Sequence, residues 1–501
     1  MKSESPASRV KEVELKLSLP THDPASLAKR LARTPVLARR AATQKQLHNI
    51  YFDTPEQTLH HERIALRLRR VGSSATPQWL QTLKTGGRVN SALSQRGEWE
   101  SAVPDATLSL QALQATPWSD LDPDSRLFET LAPCFATTFE RTLWVVRRRD
   151  GSVVEVALDI GQIEAGEQRA PICELELELL AGQPAALFEV AQQIARSIAV
   201  LPAHLSKAER GYALAQDELN GPLRARPETL RRDLPLPQAM QQVMREMFCQ
   251  FTANLNALGS SDDPEVVHQA RIGWRRFKSA RRLFKPFLSH PGAPSWQALH
   301  PLLTCLGELR DLDVARTVTL PPLAQDYAAG DARRMQTWQD MMQVIEQASA
   351  LQRKTVRYAL QEPTIGAALL AATQWLEDIP VLDESLATKK KPQRHLRQWA
   401  RRKMRHLFEQ LQRAGKHTHQ ADLEHQVRIL AKRMRYGTEL LHPLLPKQRS
   451  QRWHQQASQL QMMLGTTRDA CRAAELLTNL SIDRGLTEFL RGMAAGRKGQ
   501  P

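Results

Sequence analysis

Short stretches in the first 215 residues alternate charged and apolar side chains with a period of two. Between residues 12 and 16, Glu12, Glu14 and Lys16 fall on one side of an extended backbone, and Val13 and Leu15 fall on the other. Because successive side chains of a β-strand point to opposite faces, this pattern predicts a strand with one charged face. One such strand is equally consistent with a solvated surface.

The same alternation recurs along the chain, and this recurrence favours a closed structure. The further stretches are 66–69, 82–84, 98–100, 153–159 and 174–178. Strands with apolar outer faces and inner faces that carry both signs of charge close into a barrel with a charged lumen. An ordinary core does not bury so many charges without partners. Carboxylates suit a divalent metal, whereas arginine and lysine suit phosphate, so the pattern predicts a lumen that holds both.

The hydrophobic period changes to about three and a half after a segment rich in proline and glycine at 217–237. Five long segments beyond it are predicted to be amphipathic helices: 240–258, 265–284, 331–361, 394–414 and 420–441. Asp263 followed by Pro264 predicts the start of one of them. The predicted fold class is therefore α+β, with a β domain at 1–216, a linker at 217–237 and an all-α domain at 238–495.

The helical part contains an internal duplication. Residues 267–272 recur as 424–429, and residues 306–311 recur as 464–469. This similarity predicts two helical repeats, at about 238–395 and 396–495, packed about a pseudo-twofold axis. One helix of each repeat is rich in basic residues, most of them at spacings of three and four that place them on one face. These residues are His268, Arg271, Arg275, Arg276 and Lys278 in the first repeat, and His425, Arg428, Lys432, Arg433 and Arg435 in the second.

The net charge of the chain is concentrated in this helical part. Residues 1–235 contain 30 Lys and Arg against 29 Asp and Glu, whereas residues 236–501 contain 39 against 24. Nearly all of the +16 formal charge therefore belongs to the second half, which predicts a polyanionic partner. A single basic row is typical of a solvated helix face, but two rows in register favour an anion-binding surface.

Several classes of protein are disfavoured by the sequence. No apolar run approaches the length of a membrane helix, residues 1–8 lack the pattern of a secretory signal, and the five cysteines lack metal-ligand or redox spacing. We therefore predict a cytoplasmic protein without a membrane partner. No helix-turn-helix, zinc or RNA-recognition motif is present, which argues against sequence-specific nucleic-acid binding. The oligomeric state is left open.

Five motifs follow one another between residues 9 and 215. They are Glu12-x-Glu14-x-Lys16, Tyr51-Phe52-Asp53-Thr54-Pro55, Leu66-Arg67-Leu68-Arg69, Leu158-Asp159-Ile160-Gly161 and Ser206-Lys207-x-x-Arg210-Gly211-Tyr212. In this order they resemble the CYTH family, the triphosphate tunnel metalloenzymes. The resemblance implies an eight-stranded antiparallel tunnel that binds a linear triphosphate and uses Mg²⁺ or Mn²⁺ to hydrolyse or cyclise it.

The resemblance also implies roles for individual residues. The implied metal ligands are Glu12, Glu14, Asp159, Glu174 and Glu176. The implied triphosphate ligands are Lys16, Arg67, Arg69, Lys84, Arg141 and Lys207. The implied catalytic residues are Glu12, Glu14, Lys16, Glu174 and Glu176. Alternation alone places Glu98, Glu100, Glu155 and Glu178 on the same charged faces.

The pattern His-x-x-Arg-x-x-x-Arg/Lys, repeated at His268 and His425, resembles the CHAD family over about residues 236–495. This resemblance implies a helical module whose basic surface binds inorganic polyphosphate. Phosphate binding or structural hydrogen bonding is the favoured role of the two histidines. Arg310-Asp311 is interpreted as an internal ion pair that orients the basic helix.

The predicted function is metal-dependent hydrolysis of inorganic triphosphate to pyrophosphate and phosphate, with polyphosphate bound by the helical domain. One alternative is a hydrolase or cyclase for an organic triphosphate, namely thiamine triphosphate or ATP. The other is a non-enzymatic protein that binds polyphosphate or RNA. Aromatic residues near the implied ligands are sparse, with Tyr51, Trp79, Trp99 and Trp144 as candidates, and this favours an unsubstituted phosphate chain.

Overall fold

The structure is a computed structural model. It describes the chain apart from residues 1–9, 22, 73–76, 87–90, 227–233, 289–292, 384–391, 416–420, 481 and 499–501. The first part is built mainly from strands: β1 (Val10–Ser18), β2 (Thr43–Asp53), β3 (Ile64–Val71), β4 (Gln78–Thr85), β5 (Leu93–Val103), β6 (Ala132–Arg147), β7 (Val153–Ala165), β8 (Gln168–Ala181) and β9 (Leu201–Pro202).

Strands β1 to β8 close into an antiparallel barrel, which confirms the fold that the CYTH resemblance implies. The pairings run β5–β4–β3–β2–β6–β7–β8–β1, and β1 also pairs with β5, so the ring has no free edge. The short strand β9 adds to β1. The register sets Lys16 opposite Glu176, and Asp159 lies between Arg141 and Glu174 on its two neighbours. Charges distant in sequence therefore become neighbours.

Seven helices belong to the same part of the chain: α1 (Leu27–Ala32), α2 (Thr58–His61), α3 (Leu110–Leu113), α4 (Trp118–Leu121), α5 (Arg126–Glu129), α6 (Ala185–Ala195) and α7 (Lys207–Ala215). The apolar strand faces point outward and are covered. Leu15, Leu17 and Leu175 are fully buried in one cluster with Leu187 and Val190 of α6. Burial of each such side chain contributes about 1.5–3 kcal/mol. This energy determines that the apolar face of each strand points outward and the charged face points into the lumen.

Among the described residues, the rest of the chain contains ten α-helices: α8 (Leu236–Ala257), α9 (Pro264–Leu283), α10 (His300–Val314), α11 (Ala324–Ala328), α12 (Ala332–Leu360), α13 (Pro363–Asp383), α14 (Pro392–Gly415), α15 (Ala421–Leu441), α16 (Lys447–Asn479) and α17 (Arg484–Lys498). The five predicted helices are confirmed with end points within two residues for α9, α12, α14 and α15, and within four for α8. Helix α9 begins as predicted, because the Asp263 side chain accepts a hydrogen bond from the backbone nitrogen of Glu265 at 2.7 Å.

The duplicated segments occupy equivalent helices. The first basic helix is α9 and the second is α15, and these two pack against each other, as do α10 and α16. The pseudo-twofold arrangement stays a prediction. Within the part of the chain that the structure describes, no helix combines the length and hydrophobicity that a membrane crossing requires.

The chain divides into two compact units. One comprises Met1–Gly221 with Leu360–Gln374, and the other comprises Pro222–Ala359 with Trp375–Pro501. Within the first unit, Leu370 of α13 is fully buried among the residues that cover the barrel. The carbonyl of Ala367 accepts a hydrogen bond from Gln192 at 3.3 Å. The predicted boundaries at 216 and 238 stay predictions.

Candidate active site

The inner face of the barrel lines one charged cavity. Seven cations and six carboxylates surround it, together with one aromatic residue and a few small ones. The lining consists of Glu12, Glu14, Lys16, Tyr51, Ala65, Arg67, Arg69, Lys84, Arg96, Glu98, Arg141, Glu155, Ala157, Glu176, Glu178, Ser206, Lys207 and Ala208. All six implied triphosphate ligands are on this lining, as are Glu12, Glu14 and Glu176 among the implied metal ligands.

The carboxylates of Glu12 and Glu14 form one group, and each is held by more than one cation. Lys84 Nζ lies 3.0 Å from Glu12 Oε1, and Arg96 Nε lies 2.8 Å from Glu12 Oε2. Arg96 Nη2 and Lys16 Nζ reach Glu14 Oε1 at 2.6 and 2.5 Å. Burial opposes ionisation of Glu12, but the cations Lys84 and Arg96 outweigh burial and hold its pKa well below the usual range. Both glutamates are therefore charged at neutral pH.

A second group contains Asp159, Glu174 and Glu176, whose carboxylate oxygens lie within 4.8 Å of one another. Lys207 Nζ lies among them, 2.6 Å from Asp159 Oδ2 and 3.0 Å from Glu176 Oε1, and it also contacts Glu174. Arg141 donates two hydrogen bonds of 2.7 Å to Asp159 and one of 2.6 Å to Glu176. The side chain of Asp159 is fully buried, so its charge depends on these partners.

The electrostatics of this second group follow from its pairing. Burial disfavours the charged form of Glu176, yet Lys207 and Arg141 outweigh it and hold the pKa of Glu176 well below its ordinary value. Conversely, burial would lower the pKa of Lys207, but the three carboxylates raise it. Glu176 and Lys207 therefore form a pair of opposite charges within this group.

A third group is cationic and has few acidic partners. Arg69 Nε donates to Asn49 Oδ1 at 2.8 Å, and Asn49 in turn donates to Thr137 Oγ1 at 2.8 Å. Burial and the neighbouring Arg67 lower the pKa of Arg69 to about 10. Arg67 lies 3.7 Å from Glu98, and its buried Nε has no hydrogen-bond partner among the described residues. This cationic group can therefore bind an anion.

Tyr51 lies beside Arg67 and Arg69 of this cationic group. Its ring stacks on Phe135 with 4.6 Å between centroids. Burial raises the pKa of the Tyr51 phenol, but Arg67 and two further cations outweigh burial and leave that pKa below its ordinary value. A phenol in this position can donate a hydrogen bond to an anion held by Arg67 and Arg69.

The four glutamates placed by alternation alone have different positions. Glu98 contacts Lys84 at 3.0 Å inside the lumen, whereas Glu100 is exposed and accepts a hydrogen bond from Thr82. Glu155 and Glu178 lie directly opposite each other on β7 and β8. Burial and the neighbouring glutamates raise the pKa of Glu178 to about 7.

The chemistry of the second group fits a divalent metal. Asp159, Glu174 and Glu176 supply hard oxygen donors of the kind that Mg²⁺ and Mn²⁺ prefer, and they form the one cluster of metal-capable ligands found among the described residues. Glu12 and Glu14 line the same cavity but are not members of that cluster.

Some motif residues support the tunnel without lining it. Asp53 is buried and accepts hydrogen bonds from the backbone nitrogens of Leu59 and His60 and, at 2.7 Å, from the Tyr212 hydroxyl. Ser206 and Glu209 form a capping box at the start of α7. These contacts fix the helix from which Lys207 reaches the acidic cluster.

Arg96 is the main lumen residue that the sequence analysis missed. It contacts both Glu12 and Glu14 and is positioned directly opposite Glu12 in the β1–β5 register. Its position is two residues before Glu98, so the alternation on β5 already placed it on the charged face. The candidate aromatics Trp99 and Trp144 are instead buried in apolar clusters outside the lumen, and Trp79 packs against one of these clusters.

The basic residues of α9 gather beside α10. Burial and the nearby Arg310 lower the pKa of His268 to about 4, with smaller contributions from Arg275 and Arg271. Arg271 lies over Gly307, where a β-carbon would come within 3.1 Å of Nη1. The Nε of Arg275 is buried and has no hydrogen-bond partner in the described part of the chain. These four side chains form what we call the α9 basic cluster: His268, Arg271, Arg275 and Arg310.

The remaining basic residues of the first repeat lie elsewhere. Arg276 is buried and donates to Glu246 and Gln250 at 2.9 and 2.7 Å, so we leave it out of the surface. Lys278 is exposed at the far end of the row. Arg310 does not pair with Asp311 as interpreted from the sequence, because Asp311 accepts a hydrogen bond from Arg472 of α16 at 2.8 Å.

The second repeat is only partly equivalent. The side chain of His425 lies outside the described part of the structure, whereas Arg428 and Lys432 are half-buried on α15. Arg433 is exposed, and burial together with Arg282 of α9 lowers its pKa. Arg435 lies over the ring of Tyr436 and 3.6 Å from Glu439 of its own helix.

Comparison with known proteins agrees with both resemblances. Residues 10–212 match the family model of the CYTH domain, and residues 242–478 match that of the CHAD domain. A relative described as an inorganic triphosphatase, from Haemophilus influenzae (strain ATCC 51907 / DSM 11121 / KW20 / Rd), is 33% identical over 211 residues, which are 42% of this chain. The match spans 56% of the relative's length.

Two solved structures resemble parts of the chain. The CHAD domain of the plant Ricinus communis is 26% identical, and the match covers 56% of this chain and 91% of that one with a TM-score of 0.46. A putative adenylyl cyclase from Hippeastrum, described as having a dominant triphosphatase activity, is 19% identical. That match covers 42% of this chain and 96% of that one, with a TM-score of 0.28.

Proposed function

We propose that this chain, which carries a CYTH domain followed by a CHAD domain, hydrolyses inorganic triphosphate to pyrophosphate and phosphate in the barrel lumen. The observation that carries the proposal is the interleaving of seven cations with six carboxylates around one cavity. A linear polyanion is the ligand that seven cations converging on one cavity fit. The relationship to an inorganic triphosphatase supports the same substrate.

The lumen residues would have different roles in the reaction. Water adds to the terminal phosphorus while the bond to the bridging oxygen breaks, which releases phosphate and leaves pyrophosphate. Arg67 and Arg69 would hold phosphate oxygens in the part of the lumen that has few acidic partners, and the Tyr51 hydroxyl would donate to the same phosphate group. Lys16 and Lys84 would offset charge along the rest of the chain. Removing one arginine should cost several kcal/mol of transition-state stabilisation, comparable to loss of an oxyanion donor at ~3–4 kcal/mol.

A divalent ion fits the acidic end of this site. Asp159, Glu174 and Glu176 would hold it, with Glu12 and Glu14 as the further ligands predicted from the sequence. When bound, Mg²⁺ or Mn²⁺ would supply positive charge that offsets the charge of the phosphate oxygens. The carboxylates would orient water and hold the ion.

The lumen lining favours an unsubstituted phosphate chain over thiamine triphosphate or ATP. Among the described residues that line the cavity, Tyr51 is the aromatic one, and its ring is already stacked on Phe135. A base or thiazole ring would need a free aromatic or apolar platform. The organic substrates therefore rank second.

Phosphate release by the purified protein tests the proposal. With Mg²⁺ or Mn²⁺ present, we expect inorganic triphosphate to be cleaved faster than ATP, thiamine triphosphate or long polyphosphate. Glu14→Gln should abolish this activity, because it leaves Lys16 and Arg96 without their shared carboxylate. The matched control is Glu140→Gln, a glutamate exposed on β6. Equal loss in both variants, or no release from any substrate, would contradict the proposal.

We also propose that the CHAD domain binds inorganic polyphosphate on the α9 basic cluster. Two observations support this proposal. Burial and repulsion from Arg275 lower the pKa values of Arg271 and Arg310, although Asp311 and Asp313 act in the opposite direction. The Nε of Arg275 has no hydrogen-bond partner among the described residues. Like charges at this spacing destabilise the free protein, and a bound phosphate chain relieves that repulsion. RNA would be attracted by the same charge.

Competition in the full chain separates the two polyanions. Arg271→Gln with Arg275→Gln should weaken polyphosphate binding, whereas Arg333→Gln with Arg334→Gln, an exposed pair on α12, should not. A site built for polyphosphate keeps its preference over single-stranded RNA as salt rises, whereas a general electrostatic surface releases both. Equal weakening by the two double variants would contradict the assignment of this cluster.

A further inference from the structure

Lys207 occupies the centre of the acidic cluster that a metal ion would use. Its Nζ contacts one oxygen of each member: Asp159 Oδ2 at 2.6 Å, Glu176 Oε1 at 3.0 Å, and Glu174 Oε1. The side chain is almost fully buried, with 6% of its surface exposed. The ammonium and a divalent ion would therefore compete for the same oxygens.

The cluster is already neutralised by side chains of the protein. Lys207 and Arg141 contact it from the lumen side, and Arg210 donates to Glu174 Oε2 at 3.1 Å. Lys16 Nζ also lies 3.9 Å from Glu176 Oε1, so four cations face three carboxylates. A divalent ion added to this set would meet repulsion from each cation. Binding of free metal requires the ammonium to move away, since it is in contact with all three carboxylates at once.

The fold allows the ammonium to move while its helix stays fixed. Ser206 and Glu209 cap the first turn of α7, and Tyr212 ties the helix to Asp53, so the backbone of Lys207 is held. Its side chain has four rotatable bonds and opens onto the cavity, which Lys207 lines together with Arg67 and Lys16. A triphosphate in that cavity would offer Nζ new oxygens a short distance away.

We propose that Lys207 is the resident cation of the acidic cluster and leaves it for a phosphate group when the metal binds. The tunnel then takes the metal–triphosphate complex in preference to free metal, because phosphate supplies the ammonium with a new partner and the metal replaces it among the carboxylates. This inference rests on the proposed function for its phosphate half. Its metal half stands on the contacts of Lys207 alone.

Equilibrium binding of Mn²⁺ to the full chain, without any phosphate, tests the metal half. Free Mn²⁺ is followed by electron paramagnetic resonance for wild type, Lys207→Gln and two controls. We expect Lys207→Gln to bind Mn²⁺ at least roughly tenfold more tightly than wild type, which corresponds to about 1.4 kcal/mol. Arg210→Gln removes one charge from the outer side of Glu174 and should change binding less. Arg169→Gln removes an exposed cation of β8 that lies 3.5 Å from Glu164 and should leave this site unchanged.

A second measurement guards against misfolding of the variant. Thermal unfolding with and without Mn²⁺ should show a larger stabilisation by Mn²⁺ in Lys207→Gln than in wild type, because at a given concentration a ligand stabilises the folded state more when its Kd is lower. Equal or weaker Mn²⁺ binding in Lys207→Gln overturns the inference, and so does absence of binding in every variant. An equal gain in Lys207→Gln and Arg210→Gln also overturns it, since net charge alone would then explain the result.

The phosphate half is tested with imidotriphosphate, a triphosphate analogue that resists cleavage. In wild type the analogue should tighten Mn²⁺ binding, and by reciprocity Mn²⁺ should tighten analogue binding by the same factor. In Lys207→Gln this mutual effect should shrink. If the analogue does not bind at all, the proposed function fails while the phosphate-free experiments still decide the metal half. If the analogue binds and the mutual effect is unchanged in Lys207→Gln, the inference fails while the proposed function stands.

Discussion

Gly211 is the glycine of the Arg-Gly-Tyr motif, and its replacement by alanine tests how α7 is seated against the barrel. A β-carbon at this position would lie 2.1, 2.3 and 2.6 Å from three ring atoms of Phe135, whereas ordinary contacts between carbon atoms are about 3.5–4.0 Å. The Phe135 ring cannot turn aside, because it stacks on Tyr51 and meets Tyr212 edge-on at 5.0 Å. Helix α7 must therefore shift outward by about 1 Å.

The magnitude follows from two opposing effects. Overpacking costs about 1–3 kcal/mol, while alanine in place of glycine favours a helix by about 1 kcal/mol. We expect a net loss of up to about 2 kcal/mol of unfolding free energy for the barrel unit. Gly211 and Lys207 are four residues apart on one face of α7, so the same shift displaces Nζ from contacts of 2.6 and 3.0 Å. A 1 Å misplacement of this kind can reduce turnover by ~10²-fold.

Thermal unfolding and phosphate release from inorganic triphosphate measure these two effects separately. The control is Gly492→Ala on α17, where an added β-carbon meets nothing within 4 Å. We expect this change to raise stability by up to about 1 kcal/mol without affecting release. If Gly211→Ala unfolds at or above the temperature of Gly492→Ala and keeps wild-type turnover, the packing argument for α7 is wrong.

Three further substitutions test other features of the two units. Tyr212→Phe should destabilise the barrel by about 1–3 kcal/mol, because it removes a donor from the buried Asp53, and urea unfolding measures this loss. Gly366→Ala should also destabilise the barrel unit, by about 1–3 kcal/mol, since its β-carbon would lie 2.3 Å from the Val200 carbonyl oxygen; faster hydrogen exchange in α6 and β9 reports this effect. His268→Gln should remove a pH dependence of stability. The pKa of His268 in the folded protein is about 4, below the ordinary histidine value of 6.5, so the wild type loses stability as the pH falls from 6.5 toward 4. We expect this loss to be about 1 kcal/mol after allowance for solvent screening.

Each of these changes has a matched control on the same chain. Tyr327→Phe is the control for the tyrosine, His300→Gln for the histidine, and Gly492→Ala for the glycine. Tyr212→Phe with unchanged stability would show that Asp53 does not need the hydroxyl. A Gly366→Ala variant as stable as wild type would show that α13 does not pack closely on Val200. If His268→Gln shows the same difference in stability between pH 7 and pH 4 as the wild type, groups other than His268 cause the pH dependence.

Local features of this protein were predictable from the sequence. The strand positions followed from alternation, since neighbouring side chains of a strand always face opposite sides. The long helices followed from their period, and the start of α9 followed from Asp263 and Pro264. Each of these features depends on residues within a few positions of one another, so one sequence contains the required information.

The sequence also predicted most of the residues that line the lumen. Residues two positions apart in a strand share one face, so one known lumen residue identifies the others. Lys16, Arg67 and Lys84 line the cavity as the alternation indicated. Parity on β5 could also have found Arg96, two residues before Glu98, but no motif pointed to it.

Tertiary structure alone decided which charges meet. Lys207 lies among Asp159, Glu174 and Glu176 because the barrel register and the seating of α7 bring together residues 31 to 48 positions apart. Arg276 is buried although the sequence grouped it with its basic neighbours. The segment Leu360–Gln374 packs with the barrel unit although its pattern is helical. Backbone period depends on adjacent residues, whereas ion pairing and burial depend on contacts between distant ones, and these become determined only when the chain is packed.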